Sequence, residues 1–372
     1  MKNFWKNLKK PFFALAPMYN VTDSAFRQVI AKYGKPDVFF TEFVSADGLA
    51  SDKGREKLKR ELYFTKAERP IVAQIFGAKP ETIKIAAEIV AEMDFDGLDI
   101  NMGCPDRAVI KQGAGAALIK DPKLAVAIIQ AAKEGAPNLP ISVKTRIGYS
   151  GIDGLENWTK TLLSAKPATI TFHLRTVKEM SLVPAHWELI KIPVALAKGM
   201  GTLIIGNGDV DSIKDGLAKA KEYSVDGIMI GREILGNPWL FANLAQAKLG
   251  CQIEHPVPNP GQDAGTNSPS LISRSACPSD LLGLGWSGRK NISLKEKLQI
   301  LVEHAKLFEK LYGQTLTNKK LFGGHTKNFA VMKKHFKVYV SGFAGATDLR
   351  AKLMESSNAQ EVETIVVNFL NN

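Results

Sequence analysis

Gly97-Leu98-Asp99-Ile100-Asn101-Met102-Gly103-Cys104-Pro105 is an apolar run that ends abruptly in a Gly-Cys-Pro turn. Residues 97–102 read as a strand, and Gly103 and Pro105 punctuate the chain at a surface turn. Cys104 therefore falls on a loop at the carboxyl end of a strand, where α/β enzymes keep their reacting groups. A cysteine taken at random is more often a small buried hydrophobe. Its two neighbours argue for exposure.

The same rhythm continues on both sides of this stretch. Short β-branched runs at 13–16, 38–44, 71–76, 97–102, 141–147, 169–174, 202–205 and 227–230 predict strands. Amphipathic stretches at 22–32, 80–93, 122–134, 153–165 and 211–223 predict helices between them. Several open on a cap or an early proline, among them Thr22-Asp23, Lys79-Pro80, Asp121-Pro122 and Asp211. Eight strands with their helices in about 235 residues match an α/β fold, the (β/α)8 TIM barrel. A doubly wound sheet is the competitor that strand count alone does not exclude. Residues 184–201 read as one helix kinked at Pro193, because an internal proline removes a backbone donor.

From residue 250 to 291 the periodicity collapses into Pro, Gly, Ser and Asn, which predicts a linker or insertion carrying Cys251 and Cys277 as incidental thiols. Periodicity returns at Ser293, a candidate cap for a helix over 294–311, followed by helices over 318–341, 347–355 and 359–370. The expected organisation is a barrel over 1–247, a linker over 248–292, and a small all-helical domain over 293–372.

Composition narrows the class further. The chain has 372 residues, 45% of them apolar and 23% charged, which allows a sizeable globular core. Its three cysteines lie far apart without metal-type spacing, so no metal site is expected and a reducing cytoplasm is. No stretch is long and apolar enough to span a membrane, and residues 1–13 are basic but lack an apolar export core. The net charge is +12, and residues 289–340 hold twelve Lys or Arg against three Glu. That surplus points to a polyanionic partner.

If the barrel is right, the strand ends gather a site. They read Ala16-Pro17-Met18, Gln74, Asn101 to Cys104, Lys144-Thr145-Arg146, His173-Leu174-Arg175, Gly206-Asn207-Gly208-Asp209 and Gly231-Arg232. Glycines after strands seven and eight let backbone N–H groups approach a phosphate, with Arg232 as a charged donor. Lys144 can place a cation beside a reduced flat cofactor, and Gln74 can offer an amide to its edge. With no Gly-x-Gly-x-x-Gly after the first strand, this points to FMN more than to a dinucleotide.

In this order the motifs resemble the tRNA-dihydrouridine synthases, over residues 12–247 and 293–355. The resemblance rests on Ala16-Pro17-Met18 with Val21-Thr22-Asp23, Asn101-Met102-Gly103-Cys104-Pro105, Lys111-x-Gly113-x-Gly115, Lys144-x-Arg146, His173-x-Arg175, the two glycine motifs, and Lys334-His335-Phe336 with Tyr339. It implies an FMN barrel that uses NADPH to reduce the C5–C6 bond of particular tRNA uridines. Cys104 would be the acid that protonates C5 while hydride reaches C6 from flavin N5, its thiol tuned toward neutral pKa by nearby cations. Pro17, Met18, Tyr19, Gln74, Lys144, His173, Asn207, Gly208, Asp209, Gly231 and Arg232 match cofactor-contacting positions. Asn101, Lys111, Arg146 and Arg175 match positions near the uridine and its phosphates. Lys327, Lys333 and Lys334 in the basic helical domain would grip tRNA backbone. Tyr19-Asn20 replaces the family's usual small residues, and the linker is longer than usual. One chain suffices to form the site, so a monomer is expected. The rival readings are a small-molecule FMN oxidoreductase of the dihydroorotate-dehydrogenase kind and a tRNA-binding protein without catalysis.

Overall fold

The computed structural model describes residues 3–252 and 292–371. Its strands are β1 (Phe12–Leu15), β2 (Phe39–Ser45), β3 (Ile71–Phe76), β4 (Gly97–Met102), β5 (Ile141–Gly148), β6 (Thr169–Thr176), β7 (Leu203–Asn207) and β8 (Gly227–Ile230). All pair in parallel in the order β1-β8-β7-β6-β5-β4-β3-β2. A bridge between Ala14 and Val38 joins the two end strands, with the Leu15 N–H donating to the Val38 carbonyl at 3.1 Å. The sheet is a closed (β/α)8 barrel, and the doubly wound alternative is excluded.

Side chains alternate across each strand, and the alternation divides the core in two. Phe13, Leu15, Ile71, Ala73, Ile75, Leu98 and Ile100 face out and pack under the helices. Phe12, Ala14, Phe40, Val72, Ile205 and Met229 fill the lower barrel. Trp5, on a 3-10 turn at Phe4–Asn7, closes that end with its ring 5.5 Å from Phe12 and 6.2 Å from Phe40. Further along β3 to β7 the inward positions turn polar: Gln74, Asp99, Asn101, Ser142, Lys144, His173 and Asn207. The upper barrel is thus a polar chamber.

Local readings differ at three places. Residues 184–201 hold no kinked helix: a 3-10 turn at Trp187–Ile190 stops and a new helix, Lys191–Ala197, begins. Pro193 lies in that helix's first turn, where a missing N–H costs nothing. Helix Ile213–Tyr223 is capped by Ser212, which accepts from the Asp215 N–H, rather than by Asp211. The helix expected over 318–341 is two, Leu316–Phe322 and Met332–Tyr339, parted at Gly323 and Gly324, both at positive φ.

The remaining C-terminal helices are Leu294–Tyr312, with a Ser293–Glu296 capping box, Ala346–Glu355 and Ala359–Asn371. They share one core, which also takes in Ala25 and Val29 from helix Ser24–Tyr33. The other face of that helix, Phe26 and Ile30, packs on the barrel. One helix is therefore sandwiched between barrel and helical region. Helix Leu244–Gln252 runs past residue 247, the expected end of the barrel. Most of the expected linker, including Cys277, Arg274, Arg289 and Lys290, lies outside the described residues.

Candidate active site

At the carboxyl mouth of the barrel lies a cavity of about 270 Å³, lined by Pro17, Met18, Lys144, Arg146, His173, Arg175, Asn207, Gly208, Asp209, Gly231 and Arg232. These eleven residues come from five strand ends, those of β1, β5, β6, β7 and β8. Charge on its walls is unbalanced: Lys144, Arg146, Arg175 and Arg232 face the carboxylates of Asp209 and exposed Glu233.

Each cation is held differently. Arg146 is buried, its Nε donating to the Gly103 carbonyl at 3.0 Å and its Nη1 to those of Thr176 and Met180 at 2.9 and 3.0 Å. Burial and the Arg175 charge bring it down to about 10. Arg175 pairs with Asp209 and donates to the Val183 carbonyl at 2.6 Å. Asp209 also binds Arg232 Nη2 at 2.9 Å; although burial would raise its carboxyl, the Arg175 hydrogen bond holds it low. Lys144 has neither hydrogen bond nor ion pair among the described residues, and burial, then Arg146, pulls its amine down to about 8. His173 is kept neutral, pushed to about 2 by burial and the surrounding cations.

The β7 and β8 ends fit a phosphate. Gly208 has φ +130°, and a Cβ there would meet the Ala185 Cβ at 2.8 Å, so only glycine closes this turn. Asp209 follows at φ 44°, and Arg232 opens a 3-10 turn, Arg232–Ile234. No hydrogen bond within the described chain takes up the N–H of Asp209 or Arg232. Free N–H groups beside a surplus of cations make an anion cradle.

Across β3, β4 and β5 runs a chain of directed hydrogen bonds. Asp99, fully buried, accepts from Ser142 Oγ at 2.6 Å and from Gln74 Nε2 at 2.7 Å. Gln74 Oε1 accepts from Asn101 Nδ2 at 3.1 Å, and Asn101 Oδ1 accepts from the Gly103 and Cys104 N–H groups at 3.1 and 2.9 Å. Gln74 and Asn101 thus have their amides engaged and are not among the residues that line the cavity, and Asn101 shapes the Cys104 turn. Burial raises the Asp99 carboxyl to about 6. Asp99 and Ser142 escaped sequence reasoning, although a polar residue at alternate positions of an apolar strand was the available signal.

Cys104 is half-buried after β4, beside the Gly113–Gly115 loop; a Cβ at Gly115 would come within 3.0 Å of the Cys104 carbonyl. Its thiol is not drawn toward neutrality. Burial raises it, and the opposing Asp106 backbone hydrogen bond and the Lys144 and Arg146 charges do not offset that. The group is a protonated thiol at neutral pH.

The other expected residues are scattered. Tyr19 is exposed at the rim, its ring 5.6 Å from Phe43. Lys111 is exposed at the end of a short helix, Arg107–Lys111. Lys334 is exposed and Lys333 half-buried on the helical region. Lys327 is not available to a polyanion: its side chain is 5% exposed, 2.8 Å from Glu42 Oε2 and paired also with Glu61. Buried Glu42 and half-buried Glu61 hold this lysine inward. Among the described residues no cluster of His, Cys, Asp and Glu could hold a metal, and no helix is long and apolar enough to cross a membrane.

Fold and site define a (β/α)8-barrel enzyme whose carboxyl mouth carries a thiol after β4 and a cationic cavity lined from the ends of β1 and β5 to β8. Residues 14–262 match the dihydrouridine synthase family. A probable tRNA-dihydrouridine synthase of Staphylococcus aureus (strain MRSA252) is 36% identical over 370 residues, covering 99% of this chain and 96% of that one. Probable tRNA-dihydrouridine synthase 2 of Bacillus subtilis (strain 168) is 37% identical, covering 99% and 97%. The chain belongs to the dihydrouridine synthase family, and it is an oxidoreductase. Among solved structures, a 2-naphthoyl-CoA reductase complex aligns at TM-score 0.50 with 10% identity, over 65% of this chain and 52% of that one. Histamine dehydrogenase from Rhizobium sp. 4-9 aligns at TM-score 0.50 with 14% identity, over 64% and 46%. These two speak for the fold.

Proposed function

We propose that this protein is a tRNA-dihydrouridine synthase that binds FMN in the barrel mouth, takes reducing equivalents from NADPH, and reduces the C5–C6 double bond of uridine in tRNA. The observation that carries this reading is the Cys104 thiol after β4, within reach of the Lys144 and Arg146 charges that line a cationic cavity. The residues fit FMN: the free N–H groups and Arg232 suit its phosphate, and unpaired Lys144 suits a ring that gains negative charge. Bound there, reduced FMN would supply the hydride that C6 of the uracil receives.

The chain's own part is proton and charge management. Adding hydride at C6 leaves negative charge on C5 and the C4 carbonyl, and the Cys104 S–H delivers the proton that C5 needs. The thiolate left behind recovers a proton from solvent. A thiol held above its ordinary pKa keeps its proton until the carbanion forms, which suits an acid better than a nucleophile. A uridine reaches this depth only by leaving its stack. Exposed Lys334 and neighbouring Lys333 would meet phosphates, giving salt-dependent binding. The protein acts as a single chain in the cytoplasm on this reading.

Purified protein should carry FMN. Cys104→Ala should retain it and accept electrons from NADPH, yet form dihydrouridine roughly 10²- to 10⁴-fold more slowly, the usual worth of a positioned acid. Normal product from that variant overturns the assignment. A small-molecule reductase would also carry FMN, and salt-insensitive or absent tRNA binding would favour it.

A further inference from the structure

Lys327 sits between helices Leu316–Phe322 and Met332–Tyr339, and its ammonium reaches out of the helical region into the barrel wall. There it meets Glu42 of β2, whose side chain is 1% exposed, at 2.8 Å. The other oxygen of Glu42, Oε1, accepts the N–H of Asn20. Asn20, at φ 55°, lies in the loop after β1 whose Pro17 and Met18 line the cavity. Three successive residues therefore run from the helical region to the cavity edge.

Glu61 pairs with the same ammonium but also has Arg60, whose Nε lies 3.0 Å away. A buried ion pair adds little net stability over well-packed apolar groups. What it adds here is direction. With Lys327 bound to Oε2, Glu42 is left with Oε1 facing the loop, and no other acceptor takes the Asn20 N–H. Tyr312 reinforces the same corner: its ring lies 4.8 Å from Lys327 Nζ, and its hydroxyl accepts the Ser24 N–H at 3.1 Å.

We propose that Lys327 and Glu42 are positioning residues through which the seated helical region holds the Pro17–Asn20 edge of the cavity in place. The catalytic face of the barrel is then complete only while the helical region is docked. That consequence rests on the reading of the cavity as the cofactor site, whereas the positioning itself does not.

The full-length variant Glu42→Leu/Lys327→Leu replaces the pair by apolar groups and leaves Glu61 with Arg60, so the interface keeps its packing. It should fold with the circular dichroism of the parent. Hydrogen exchange at the Asn20 amide should quicken roughly tenfold or more, with β5 and β6 unchanged. FMN should dissociate faster, and Lys327→Arg should keep exchange within about twofold of the parent. Unchanged Asn20 exchange in the folded double variant overturns the proposal. Should that variant not fold, Lys327→Gln carries the same measurement, and unchanged exchange there also overturns it. Faster exchange in a protein that makes no dihydrouridine would sink the functional reading and leave the positioning intact.

Discussion

Lys144 and Lys327 are both lysines withdrawn from water, and their surroundings push them in opposite directions. At the barrel mouth, burial and Arg146 draw Lys144 down to about 8, and the Asp99 charge is too weak to hold it up. At the interface, burial acts the same way, but Glu42, Tyr312, Asp23 and Glu61 outweigh it and drive Lys327 up. Desolvation is common to both sites, so the sign is set by the balance of neighbouring charge. The mouth has cations to spare and awaits an anion. The interface has carboxylates to spare, burial raises Glu42 to about 7 in their company, and nothing is left over for a ligand.

The two sites should therefore respond oppositely to losing their lysine. Lys327→Met strands buried Glu42 beside Glu61 and Asp23 and should cost about 3–5 kcal/mol in denaturant unfolding. A loss under about 1 kcal/mol would mean that the interface admits water and the contrast fails. Lys144→Met should leave the cofactor-free protein as stable as before or more so, because it removes an unpaired cation. Its FMN affinity should fall about tenfold or more, as for a lost charged hydrogen bond, by fluorescence titration. Equal stability losses at both positions would erase the distinction.

A pH series sharpens the comparison. The folded pKa of Lys144 lies below the unfolded 10.5, so between about pH 8 and 10.5 the unfolded chain binds more protons. Stability of the cofactor-free protein should rise with pH over that window through this group, and Lys144→Met should flatten the rise. Lys327 is shifted the other way: it stays charged in both states until pH nears the unfolded 10.5, and from there its contribution falls as pH rises. The smallest effect belongs to Arg232, 62% exposed and sharing Asp209 with Arg175. Arg232→Ala should weaken FMN binding by about 1 kcal/mol or less and leave melting unchanged.

Much of this was legible in the chain. The eight strands, the Cys104 turn and the glycine motifs after β7 and β8 depend on local chemistry, apolar alternation and turn residues, which sequence carries directly. Pro193 misled because proline forbids a helix interior but suits a first turn, and only the path of the chain tells the two apart. Ser212 and Asp211 are equally good caps on paper. Lys327 was read with Lys333 and Lys334 as one basic face, yet it points the other way, toward two carboxylates from distant parts of the chain.

The amino-acid sequence alone determined the barrel, the helical region after it, the place of Cys104 in a turn after β4 and the family, because periodicity and turn chemistry act over a few residues. The expected exposure of that thiol gave way to half burial. Only the tertiary structure decided which charges stand alone. Lys144 and Lys327 are chemically the same residue, and the fold leaves one without an ion pair and surrounds the other with carboxylates. It also decided that the Cys104 thiol keeps its proton, since burial there outweighs the nearby cations. Electrostatic character is a sum over neighbours brought together from across the chain, and that sum exists only once the chain has folded.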